Sequence, residues 1–180
     1  LRKPVPTTIN HTQVALVHKP IAMIGVFMMD TPQAAFNRKI LRLVFPGTEI
    51  ILRFVICQPS AMTLLEADVV AIDMVENMNN GKTQRWFSYA LANCPPSVEA
   101  VFKMDDDVLF CWNKLQYEIS QSRKNKFAYY GRFIDHHECG KYFHCPPEHC
   151  NGQRKFVGDC FYYMQGGLYG FSMALLKEIH

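Results

Sequence analysis

Four short apolar runs, separated by stretches of helical period, constrain this chain most. They are Ile21–Met29, Ile50–Cys57, Asp68–Ile72 and Ala100–Met104. Continuous rather than alternating apolar character is expected of strands covered on both faces. Between the first two, Thr31 is placed to cap a helix and Pro32 to open it. Phe36, Ile40, Leu43 and Val44 recur at helical spacing, which predicts an amphipathic helix over 32–45, ended by Pro46-Gly47. Ser60 is placed to cap a short helix running to Leu65. Trp86, Phe87, Ala90 and Leu91 predict another over 83–92, stopped at Cys94-Pro95-Pro96. Strands alternating with helices give an α/β fold, a mainly parallel sheet flanked by helices. In such sheets ligands bind beyond the carboxyl ends of the strands.

Past Asn113 the period weakens. Leu115 and Ile119 predict a helix over 113–121, Phe127–Tyr130 a strand, and Ser172 the cap of a final helix. Residues 1–19, with Pro4 and Pro6, read as an N-terminal arm ahead of one domain over 20–180. A chain of 180 residues can bury a real core, and 49% apolar content argues against disorder. A net charge of +3 without a basic block gives nucleic-acid binding no support. No run reaches the roughly 18 apolar residues of a membrane helix. The chain opens at Leu1, so an upstream anchor remains compatible with it.

The fourth apolar run leads directly into Asp105-Asp106-Asp107. Unit charges about 6 Å apart in an effective dielectric near 20 repel by roughly 3 kcal/mol. Water relieves this on a surface turn; in a less solvated place a proton or a cation must. Val101 and Phe102 before the run and Val108, Leu109 and Phe110 after it favour the cation. Strand alternation would turn Asp105 and Asp107 to one side and Asp106 to the other. A D-x-D pair suits Mn²⁺ or Mg²⁺, hard ions that take oxygen ligands and leave positions for phosphate. The alternatives are a solvated acidic turn and, from another class, a Mg²⁺-dependent phosphotransferase or nuclease. The thin spread of Lys and Arg ranks the nuclease last.

Val101-Phe-Lys-Met-Asp-Asp-Asp-Val-Leu-Phe110 resembles the lysine and triple-aspartate segment of the β-1,3-galactosyltransferase superfamily, glycosyltransferase family 31. Phe36-Asn-Arg-Lys-Ile-Leu-Arg-Leu-Val-Phe45 resembles its arginine-rich helix: Arg38 and Arg42 match, whereas Asn37 replaces the usual first arginine and Val44-Phe45 the closing Thr-Trp. Met78-Asn-Asn-Gly-Lys-Thr83 with Trp86, and Tyr129-Tyr-Gly-Arg132, are similar to the kinetoplastid branch that builds phosphoglycans. Tyr162–Ser172 resembles the tyrosine–glycine–serine segment before a helix. The motifs follow in family order from about residue 21 to the end.

The resemblance implies a GT-A-type domain, incomplete at its C-terminus, with a nucleotide-sugar half over 20–113 and the start of an acceptor half over 114–180. It implies transfer of galactose or N-acetylglucosamine from UDP-galactose or UDP-N-acetylglucosamine to a glycan or phosphoglycan, in a β-1,3 linkage with inversion. Asp107 would be the principal metal ligand, with Asp105 on the metal or the ribose and Asp106 beside the nucleotide. Arg38 and Arg42 would lie near the diphosphate, as would Lys82, which as a solvated surface charge would mean nothing. Gly166 and Gly167 would admit the acceptor sugar, or be plain turn glycines. Trp86 and Phe87 read as core rather than sugar platform. Inversion requires a carboxylate base, which relatives carry beyond the point matching His180. Asp159 and Glu178 do not match that motif, so no base is named, and the 180 residues are expected to bind nucleotide sugar and transfer little. A non-catalytic relative that only binds nucleotide or glycan is the second reading. Relatives are tethered in the Golgi lumen by an upstream helix. Between residues 135 and 160 lie Cys139, Cys145, Cys150 and Cys160 with several histidines. A crosslinked loop in an oxidising compartment is favoured there over zinc, because the cysteine gaps are wide for a zinc site.

Overall fold

The computed structural model describes residues 19–45, 47, 49–76, 81–124, 126–134 and 163–180, without the side chains of 132–134 and 163–166. The elements run β1 (Ala22–Met28), α1 (Pro32–Val44), β2 (Ile50–Cys57), α2 (Ala61–Leu64), β3 (Val69–Ile72), α3 (Lys82–Asn93) and β4 (Ala100–Asp105). They continue with α4 (Trp112–Ser122), β5 (Tyr129–Ile134), β6 (Tyr163–Ser172) and α5 (Met173–Ile179). Six strands form one sheet in the order β3-β2-β1-β4-β6-β5. β1 pairs in parallel with β2 and with β4, and β2 with β3; β6 runs antiparallel to β4 and to β5. This is the mainly parallel, helix-flanked α/β sheet expected, consistent with a GT-A-like fold.

The four apolar runs are β1 to β4, and alternation divides their side chains between two cores. One joins Ile24, Val26, Phe54, Ile56, Phe102 and Met104 to α1 and α4. The other joins Met23, Val55, Val70 and Val101 to Trp86, Phe87 and Ala90 of α3 and Leu176 of α5. Trp86 and Phe87 are therefore core. Thr31 and Ser172 cap their helices, their hydroxyls accepting from Ala34 N at 3.1 Å and Leu175 N at 3.2 Å. Ser60 caps α2 in the same way, accepting from Thr63 N at 3.3 Å.

Helix α1 forms over the expected residues but turns the other face inward. Ala34, Arg38 and Leu41 are buried, whereas Phe36, Ile40, Leu43 and Val44 are exposed. The buried Arg38 accounts for this: Nε and Nη2 donate to Glu66 at 3.0 and 2.6 Å, fixing the inward face by an ion pair. Two further differences concern strands. β5 starts at Tyr129 rather than Phe127, and β6 is a ten-residue strand that the glycines Gly166, Gly167 and Gly170 conceal in the sequence. Gly170 is required where it stands, since a Cβ there would come within 2.7 Å of the Phe102 ring. Among the described residues no helix is long and apolar enough to cross a membrane.

Candidate active site at the carboxyl edge of the sheet

The chain lays down β2 and β3 on one side of β1 and then crosses to place β4 on the other. The gap between the carboxyl ends of β1 and β4 is thus the switch point of the sheet, where ligands enter folds of this kind. Asp105 ends β4 there, in register with Phe27 of β1. The strand stops at Asp105, and Asp106 and Asp107 form a turn in which Val108 N donates to Asp105 O at 3.3 Å. Strand alternation therefore does not govern Asp107, contrary to the simple D-x-D picture. Asp107 is exposed, and Asp105 and Asp106 are partly so.

One of the three charges is already answered. The Lys103 ammonium pairs with Asp105 Oδ1 from the same face of β4. Lys103 also lies 5.5 Å from the centroid of Phe27 and 5.8 Å from that of Tyr169. Lys82, at the start of α3, is 5.3 Å from the same Phe27 centroid. Its side chain is only 5% exposed, and it donates to Met28 O at 3.1 Å and Glu76 Oε2 at 2.7 Å. Lys82 is thus a buried cation held by a carbonyl and a carboxylate rather than a solvated surface charge. Burial above all raises the Tyr169 phenol, against a hydrogen bond with Thr83 that lowers it. The lysine–threonine, triple-aspartate and tyrosine–glycine segments therefore meet on the α3 face of the sheet.

Arg38 and Arg42 stand on the other face. Arg42 pairs with Glu66 and with Asp68 Oδ1, the latter at 2.6 Å, and lies 4.9 Å from the Phe54 centroid. Those two carboxylates raise the Arg42 guanidinium, while both arginines hold Glu66 below its ordinary range. Arg38 Nη1 points at Met28 Sδ, 3.8 Å away, at the carboxyl end of β1. Asp30 accepts from Ser60 N at 2.6 Å and Thr63 Oγ1 at 2.8 Å, which pins the β1–α1 loop to α2 and lowers the Asp30 carboxyl. The arginines brace α1 against the segment between α2 and β3, so the structure does not gather them with the lysines.

Gly166 and Gly167 extend β6 past its last pair with β4, Met104↔Leu168. A Cβ on Gly167 would approach Val108 Cγ2 to 3.2 Å, so β6 lies tight against the residue that follows the aspartates. Beside them Val108, Leu109, Lys114, Tyr130 and Gly167 line a groove of about 820 Å³. Glu178 is exposed on α5, which begins where Ser172 pairs with Ala100 at the opposite edge of the sheet. The Cys/His-rich stretch 135–160, Asp159 and residues 78–80 of the lysine–threonine segment lie outside the described residues. Among the described residues Cys57, Cys94 and Cys111 form no disulfide.

Among the described residues no three His, Cys, Asp or Glu side chains converge on one metal position. What the turn offers is hard carboxylate oxygen from Asp105 and from the exposed Asp107. That set fits Mn²⁺ or Mg²⁺ where phosphate and water complete the shell. Lys103, Glu76, Thr83 and Tyr169 carried no assigned role in the sequence. For Lys103 the signal was present: residues two apart on a strand share a face, so Lys103 had to meet Asp105.

A search of curated proteins gave no match. A family model described as Galactosyltransferase matches residues 48–180, from just ahead of β2 through the acidic turn to the last residue. This span is well over half of the chain and contains every described strand except β1. The chain belongs to the galactosyltransferase family, and so to the glycosyltransferases.

Proposed function

We propose that the protein transfers galactose or N-acetylglucosamine from a UDP-sugar to a hydroxyl of a glycan or phosphoglycan, forming a β-1,3 linkage with inversion. The observation that carries this reading is the acidic turn at the switch point between β1 and β4, inside the span matched by the family. Asp105 and Asp107 would hold Mn²⁺ or Mg²⁺, which when bound neutralises charge on the departing diphosphate. Asp106 would stand beside the nucleotide. Lys82 and Lys103 would supply positive potential to the phosphates from the α3 face. Arg38 and Arg42 would frame the nucleotide side from α1, and reach phosphate only by exchanging Glu66 or Asp68 for it. Gly166 and Gly167 would border the acceptor. The base is assigned to no residue here, and residence in the Golgi lumen on an upstream anchor is part of the same proposal.

Calorimetric titration with UDP-galactose and UDP-N-acetylglucosamine, with and without Mn²⁺, tests the reading. Binding should depend on Mn²⁺ and weaken at least about tenfold in Asp107→Asn. Metal-independent binding that the substitution leaves unchanged would overturn it. Sugar transfer to a glycan acceptor then separates a transferase from a relative that only binds its donor.

A further inference from the structure

We infer that Lys103 is a resident counter-ion of the acidic turn, holding Asp105 until a divalent ion and a nucleoside diphosphate arrive together. This rests on the metal-dependent reading above and concerns how the two ligands are coupled.

Lys103 and Asp105 stand two residues apart on one face of β4 and form an ion pair. The lysine side chain is 11% exposed against 42% for the aspartate, so the ammonium is the enclosed member and the carboxylate the accessible one. Phe27 carries two ammonium groups around one ring, Lys82 at 5.3 Å and Lys103 at 5.5 Å from its centroid. Each is answered by a carboxylate, Lys82 by Glu76 and Lys103 by Asp105. A dication that takes Asp105 separates Lys103 from that carboxylate and adds positive charge beside two enclosed ammonium groups. Like charges gathered in a poorly solvated place oppose one another. Metal alone therefore binds weakly. A nucleoside diphosphate reverses the balance, because its oxygens receive both the metal and the released ammonium. Coupling of this kind is reciprocal: the nucleotide must raise metal affinity by the factor by which the metal raises nucleotide affinity.

The test is Mn²⁺ binding to the full chain, read from the free-ion electron paramagnetic resonance signal, alone and with saturating UDP. Wild type is compared with Lys103→Met, Lys103→Gln and Lys103→Arg. The two neutral variants should bind Mn²⁺ alone about tenfold more tightly, and UDP should enhance binding correspondingly less. The arginine variant, which keeps the charge, should stay close to wild type. Lys103→Gln keeps a hydrogen-bonding group toward Asp105, so it gives the answer should the methionine variant fail to fold. The inference is overturned if folded neutral variants bind Mn²⁺ alone no more tightly than wild type, or less tightly. If wild type binds no Mn²⁺ even with UDP, the metal-dependent reading falls and takes this inference with it. Wild-type binding that UDP enhances, unchanged in the neutral variants, sinks this inference alone.

Discussion

Trp86 of α3 packs against Gly25 in β1 so closely that a Cβ on the glycine would lie within 2.7 Å of three indole atoms. The same indole donates from Nε1 to the Phe102 carbonyl of β4 at 3.0 Å. One buried side chain thus clamps the two strands whose carboxyl ends frame the switch point. Lys82 stands four residues earlier on the same helix, so the clamp also fixes the height at which that ammonium reaches Met28 O.

Any side chain at position 25 must push the indole or the strand away. Gly25→Ala should lower the unfolding free energy by about 2–3 kcal/mol, the upper part of the overpacking range, because a fused ring cannot swing aside. Trp86→Phe should cost about 1–3 kcal/mol through lost volume and the lost hydrogen bond. Urea denaturation followed by circular dichroism measures both. A Gly25→Ala protein as stable as wild type would show that the indole does not lie on the strand.

The Arg38–Glu66 pair gives a pH-dependent contribution. The hydrogen bond from Arg38 above all holds the Glu66 carboxyl below its ordinary value of 4.5; burial opposes it, and Arg42 adds a lesser lowering. A carboxyl whose folded pKa is depressed stabilises the fold above the unfolded value and loses that contribution as pH falls through the folded one. Glu66→Gln should cost about 2 kcal/mol at neutral pH, since the Arg38 guanidinium is 2% exposed and would lose its carboxylate. Between about pH 5 and pH 3 the difference in melting temperature between wild type and Glu66→Gln should shrink. A difference that stays constant across that window would remove the ion pair from the account.

The sheet was legible because β1, β2 and β4 place buried or half-buried side chains on both faces, which writes an uninterrupted apolar run; the edge strand β3 buries Val70 and Ile72 and exposes Ala71, an alanine that leaves the run unbroken. β6 has a strand paired on each side of it, yet three glycines interrupt its apolar run, and glycine carries no hydropathic mark. The position of the acidic turn followed from the fourth run alone. Its geometry did not, because the strand ends at Asp105 and a turn takes over. The role of Arg38 was hidden for another reason: its partner Glu66 is 28 residues away, and no local period reports a contact of that range. Period-two alternation did contain the Lys103–Asp105 pair.

Thiol reactivity should separate the three described cysteines. Alkylation requires the thiolate. Burial pushes the Cys94 thiol up to about 11 and, at the end of β2, raises that of Cys57 as well. Cys111 is exposed at the N-cap of α4, on the rim of the groove. Iodoacetamide at pH 7.5 should therefore modify Cys111 first, with Cys94 and Cys57 at least about tenfold slower. In denaturant the three rates should converge. Time-resolved peptide mass mapping reads each site separately, and Cys94 labelled as fast as Cys111 in the native protein would contradict the burial assigned to it.

The inward face of α1 can be tested by a pair of leucines two positions apart. Hydrophobic spacing alone nominates Phe36, Ile40 and Leu43 for the core; the ion pair nominates Arg38 and Leu41. Leu41 is 3% exposed and Leu43 75%. Deleting a buried leucine side chain removes transfer energy and leaves a cavity, so Leu41→Ala should cost about 2–4 kcal/mol. An exposed leucine has neither to lose, and Leu43→Ala should stay within about 0.5 kcal/mol of wild type, aided by the good helix propensity of alanine. Denaturant midpoints at constant slope decide between the two faces. If Leu43→Ala proved the costlier change, α1 would be turned by about half a revolution. Arg38 and Arg42 would then swing away from Glu66 and Asp68, and the part proposed for them beside the nucleotide would go with them.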